Sequence, residues 1–80
     1  MAKRYVARVE YLAAKHVWVV VSGHGRERFV TQKSAISYAV DLCRQTWHDD
    51  GRPAQLVLHG KNGRIRWERT YGHDPRRFKG

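Results

Sequence analysis

The hydrophobic pattern changes period twice along this chain, which restricts the fold to strands on either side of a single helix. From Arg4 to Tyr11 the residues alternate: Tyr5, Ala7, Val9 and Tyr11 fall on one side, and Arg4, Val6, Arg8 and Glu10 on the other. That is the two-residue period of a strand. His16 to Ser22 is apolar on both sides, as a central strand covered on at least one face would be. Gly23-His24-Gly25-Arg26 reads as a turn and Glu27 to Val30 as a short third strand. From Gln32 to about Trp47 the spacing becomes three and four, with Ile36, Ala39, Val40, Cys43 and Trp47 lining one helix face. Thr31 is placed to cap that helix, and Asp49-Asp50-Gly51-Arg52-Pro53 to stop it.

Beyond the breakers the alternating pattern returns in Ala54 to His59 and again in Arg64 to Arg69. The Asn62-Gly63 pair between them predicts a tight hairpin with a two-residue type I′ turn. This register sets Leu58 opposite Trp67 and Gly60 opposite Ile65, with Leu56 on the same side. Val57, His59, Arg64, Arg66 and Glu68 are left on the other side. The expected fold class is α+β, an antiparallel sheet of four to five strands with one helix on one face, in the order β-β-β-α-β-β. Eighty residues suit a single domain, expected over residues 1–70. Residues 71–80 are expected to form an irregular basic tail.

Several features resemble a known family. They are the strand around Trp18, the run Phe29-Val30-Thr31-Gln32-Lys33-Ser34-Ala35-Ile36 leading into the helix, and Leu56-Val57-Leu58-His59-Gly60-Lys61-Asn62-Gly63-Arg64-Ile65. The closing Tyr71-Gly72-His73-Asp74-Pro75 belongs with them. Together they resemble the small bacterial family catalogued as domain of unknown function 2188, from about His16 onward. This chain departs from the pattern in its extra strand before Tyr11 and in having Asn62 where Asp is expected. The resemblance implies a fold and a bacterial or phage setting, and supplies no activity, cofactor or catalytic residues. In element order alone the chain is also similar to sheet-plus-helix DNA readers of the integrase arm type, a likeness that bears on fold rather than function.

The formal net charge is +9, distributed as +4 over residues 1–30, −1 over residues 31–50 and +6 over residues 51–80. The excess therefore skips the helix and lies on the strands and the tail, a field that attracts polyanions. The expected function is a small binding module for nucleic acid, DNA ahead of RNA, acting through an open basic sheet face and the tail. The candidate contacts are Arg8, His59, Lys61, Arg64, Arg66, Arg76, Arg77 and Lys79, with Trp18 as an aromatic platform among the cations. The alternative is a protein-interaction or homodimerisation module resting on Val6, Val57 and Trp18 or Val20, with an acidic protein or a second copy as partner.

Other chemistries find little support. The five histidines and Cys43 show no His-x₃-His or Cys-x₂-Cys spacing, so no metal and no cofactor is expected. Tyr71, His73 and Asp74 are near neighbours in an extended stretch, form no nucleophile–base pair, and argue for no enzyme and no small-molecule substrate. Gly23-x-Gly25 leads into a strand rather than a helix, which fails the dinucleotide fingerprint. A lone cysteine, the absence of an apolar leader, and a longest apolar run of only Val17 to Val21 suggest a cytoplasmic protein with no membrane partner.

Overall fold

The computed structural model describes residues 4–72. Five strands and one helix follow in the order β1 (Tyr5–Leu12), β2 (Val17–Ser22), β3 (Gly25–Phe29), α1 (Gln32–Asp50), β4 (Ala54–His59) and β5 (Ile65–Tyr71). They form one sheet, in the spatial order β3-β2-β1-β4-β5, and α1 lies across one face. The α+β class and the element order match the sequence reading.

The sheet is mixed rather than antiparallel throughout, because β1 and β4 pair in parallel from Tyr5↔Ala54 to Val9↔Leu58. The cause is the length of the connection. A helix of 19 residues rises about 28 Å, enough to carry the chain from one end of the sheet back to the other. β4 then starts where β1 and β3 start and runs alongside β1.

Helix α1 begins as its sequence indicates and ends later. The Thr31 hydroxyl accepts from Ser34 N at 3.1 Å, satisfying one of the unpaired donors of the first turn. The helix continues past Trp47 to Asp50, where Gly51 at φ 63° closes it by donating its N–H to the Trp47 carbonyl at 3.0 Å.

The row facing the sheet is Ala35, Ala39, Cys43 and Thr46. Ile36, Val40 and Trp47, expected at the centre of that face, are only partly buried and flank it with Tyr38 and Leu42. The sheet accounts for this arrangement. Tyr5, Val9, Trp18, Val20, Leu56 and Leu58 fill the space beneath the helix, so its nearest row must be small. The buried Thr46 hydroxyl donates to the Leu42 carbonyl at 2.8 Å, so its burial leaves no polar group unpaired.

The β4–β5 hairpin differs in its turn. Gly63 N donates to Gly60 O at 3.0 Å, and only Gly63, at φ 85°, takes a positive φ in the loop. Asn62 instead uses its side chain, whose Oδ1 accepts from Arg64 N at 3.0 Å. This is a three-residue loop with glycine in the left-handed position rather than a type I′ turn. The consequence is a register shift: Leu58↔Trp67 holds as expected, but Ile65 pairs with His59 rather than Gly60, and Arg66 is the extra residue of a bulge.

Candidate nucleic-acid interface

Strand alternation assigns the residues to the two faces of the sheet. Tyr5, Ala7, Val9, Trp18, Val20, Ala54, Leu56 and Leu58 belong to the core beneath the helix. The intervening residues lie on the uncovered face: Val6, Arg8 and Glu10 from β1, Val17, Val19 and Val21 from β2, Arg26 and Arg28 from β3, Gln55, Val57 and His59 from β4, and Glu68 and Thr70 from β5.

Trp18 is thus 6% exposed and packed in the core, tilted against Tyr11 with ring centroids 5.0 Å apart. It is unavailable as a platform on the open face, and Val20 is likewise buried beneath the helix. The reason is the position of β2. It pairs with β1 so that Trp18 lies opposite Tyr11 and Val20 opposite Val9, on the side of the sheet that α1 covers.

The open face is less basic than its sequence suggests. Arg8 sits near its centre, exposed, and Arg26 and Arg28 line the β3 edge, while Glu10 and Glu68 offset two of these charges. Its middle is a set of valines, and Val6 and Val57 are on it as expected. His59 is half-buried there, its Nδ1–H donating to the Gly63 carbonyl at 3.0 Å. A carbonyl can only accept, so the ring carries its proton on Nδ1 in this arrangement. Its Nε2 is buried with no hydrogen-bond partner among the described residues.

Lys61 and Arg66 leave the open face altogether. Lys61 Nζ lies over the Tyr11 ring, 5.0 Å from its centroid. The bulge turns Arg66 back across Gly60, where an added Cβ would meet the arginine stem at 3.1 Å. Both side chains border a shallow depression that also takes in Trp18 and Gln32. Arg64 is exposed in the adjoining loop. Arg76, Arg77 and Lys79 lie outside the described residues.

What the topology assembles instead is a basic end. Because β1 and β4 run in parallel, the β1–β2 turn, the start of α1 and the β4–β5 loop all lie at one end of the sheet. Residues 13–16, 30–33 and 60–66 bring Lys15, Lys33, Lys61, Arg64 and Arg66 there, with His16 and no Asp or Glu. The helix adds the positive end of its dipole, and its first turn holds no acidic residue to neutralise it. His16 holds φ 55° in the β1–β2 turn and lies 3.3 Å from the Tyr11 hydroxyl through Nδ1.

Lys15, Lys33 and Tyr11 were not among the residues expected from sequence. Their spacing carries no motif, and only the order of the strands groups them.

The opposite end has another character. Asp49 and Asp50 share a depression with His24, Gln45 and Thr46. The Tyr5 hydroxyl lies 2.7 Å from His24 Nδ1, and burial pushes the Tyr5 phenol up, with the Ser22 hydroxyl opposing. Among the described residues no three His, Cys, Asp or Glu side chains are grouped to hold a metal ion. Within the same residues no helix is long and apolar enough to cross a membrane.

The sequence profile of the uncharacterized proteins conserved in bacteria, domain of unknown function 2188, matches residues 9–71. The chain belongs to that family. The match takes in the second half of β1, the other four strands, the helix and the β4–β5 loop, and with them every residue of the basic end. Comparison with curated proteins and with solved structures gives no match.

Proposed function

We propose that this protein binds nucleic acid through its basic end, without catalysing a reaction. The observation that carries the proposal is the grouping of Lys15, Lys33, Lys61, Arg64 and Arg66 around the N-terminus of α1, with no acidic residue in the segments that bring them there. Phosphate diester backbones are bound by several fixed cations released from competition with local carboxylates, and a helix N-terminus adds donors of the right polarity. Arg64 and Arg66 also suit bidentate phosphate contact, which lysine cannot make.

The test is an anisotropy titration with duplex DNA, single strands and RNA across a range of salt. A ligand engaging about six phosphates gives a log–log salt slope near −5. Replacing Lys61, Arg64 and Arg66 with Gln is expected to flatten that slope by about three units and to weaken all sequences alike. The control is Arg44→Gln, which removes exposed charge from the helix, away from the basic end and the open face. Equal loss per charge in both sets, or no binding by the parent at low salt, would show that the basic end is no site.

A further inference from the structure

We infer that the uncovered sheet face is a homodimer interface, joining two copies about a two-fold axis parallel to the strands. The strand register sets a continuous cross-strand row on this face: Arg26, Val21, Arg8, Val57 and Glu68, from the β3 edge to the β5 edge. The row has opposite charges at its two ends and valines between, and it is nearly self-complementary when reversed. Rotation about an axis along β1 performs that reversal. It lays β3 over β5 and β2 over β4, so Arg26 of one copy meets Glu68 of the other and Val21 meets Val57. Arg8 and Glu10 both lie on the axis, each opposite its own copy and two residues apart on the same face, so every guanidinium there has carboxylates beside it that offset the like-charge contact.

The alternatives are disfavoured by the same charges. An axis in the sheet plane but across the strands lays β3 over β3 and β5 over β5, so Arg26 of one copy no longer meets Glu68 of the other. Edge-to-edge pairing meets the charged runs Arg26-Glu27-Arg28 on β3 and Arg66 to Arg69 on β5, of the kind that blocks added strands. Apolar groups also remain at the margin of the face, with Leu12 37% and Ile65 53% exposed.

Face-to-face sheets pack about 10 Å apart. The axis along the strands keeps both basic ends on the same side of the dimer, where they would form one positive surface. The interface is independent of nucleic-acid binding, so each reading can fail without the other. Five strands at about 4.8 Å and six residues at about 3.3 Å give a face of roughly 24 by 20 Å. That is smaller than a standard interface, and the association is expected to be weak and visible only at high protein concentration.

The experiment is sedimentation equilibrium of the full chain, without nucleic acid, from about 5 μM to 1 mM, with circular dichroism on every variant. The parent is expected to dimerise, and Arg26→Glu and Glu68→Arg each to weaken the dimer about tenfold or more by opposing like charges. Combining the two substitutions is expected to restore the parent's affinity within about threefold, a recovery that misfolding or loss of a monomer contact would not produce. A parent that stays monomeric at 1 mM overturns the inference. So does a dimer indifferent to both substitutions, which would use another surface, or a double variant no better than the singles.

Discussion

The two faces of the sheet are built from similar strands and obey different rules. Beneath α1, Ala7, Val9, Ala35, Ala39, Cys43, Ala54 and Leu56 have no exposed surface, and the packing leaves almost no choice of side-chain size. On the other face Val19 and Val57 are 7% and 6% exposed although no element of the described chain covers them. Neighbouring side chains on that face provide the shielding, as long stems such as those of Arg8 and Arg28 can. One face is closed by the fold. The other is closed by flexible side chains that a partner can push aside, so the same apolar residues contribute stability in the first case and a surface for association in the second.

The comparison can be tested most severely with Leu56 and its neighbour Val57. Leu56→Ala is expected to cost about 2–5 kcal/mol, because it leaves a cavity between the helix and the sheet. Val57→Thr, which keeps the shape but puts a hydroxyl where only 6% of the side chain is exposed, is expected to cost less than the cavity, about 1–2 kcal/mol in dilute solution. Urea unfolding of both variants decides this. If the Val57 cost grows with protein concentration, the second face is covered by another copy.

Cys43 gives the next largest effect. Burial pushes its thiol up from an ordinary 9.0 to about 11. A raised folded-state value means that the neutral thiol is favoured in the native protein. Its contribution to stability is therefore complete below about pH 9 and is lost as the pH rises toward 11. The expected loss over that window is about 2–3 kcal/mol, with Tyr5, also raised by burial, adding in the same direction at higher pH. Cys43→Ala should remove the cysteine part of that slope. Native Cys43 should also react with a thiol reagent only after unfolding, and rapid native labelling would break the assignment of the helix face.

Gly72 tests how far the closed side extends. It holds φ 93°, and a Cβ there would lie 2.4 Å from the Trp47 ring. Gly72→Ala is expected to cost about 1–3 kcal/mol by thermal or urea melting. Gly25→Ala shares the positive φ, at 111°, but meets nothing within 4 Å, and should cost the smaller amount due to backbone strain alone. Equal costs would mean that Trp47 is free to move and the closed side ends before it. The smallest effect belongs to the basic end. Lys61→Gln and Arg64→Gln are expected to change stability by less than about 0.5 kcal/mol while altering the salt dependence of binding.

Local chemistry was sufficient for much of this protein. The change of period at Thr31, the cap it provides, the stop at Gly51 and the strand from Ala54 to His59 are all decided by residues within a few positions of one another. So is the pairing of Leu58 with Trp67, since a hairpin is a local structure. The turn that joins its strands was misjudged because Asn62 has two ways to satisfy the backbone. It can adopt a positive φ itself, or accept from Arg64 N with its side chain while Gly63 alone turns, and here it does the second.

The tertiary structure decided the rest, through strand order. Alternation divides β2 into two sets of residues but carries no sign to say which set meets the helix, so the sequence leaves the face of Trp18 open and only the packing beneath α1 places it in the core. Apolar size marked Ile36 and Trp47 as the helix core, whereas the bulk already supplied by Trp18, Leu56 and Leu58 restricts that row to Ala35, Ala39 and Cys43. The parallel pairing of β1 with β4 joins residues some fifty positions apart, and it brings Lys61, Arg64 and Arg66 to the end where the β1–β2–β3 pairing already sets Lys15 and Lys33. Charge along a sequence gives the sum of a field; where the field concentrates depends on which ends of which strands lie side by side.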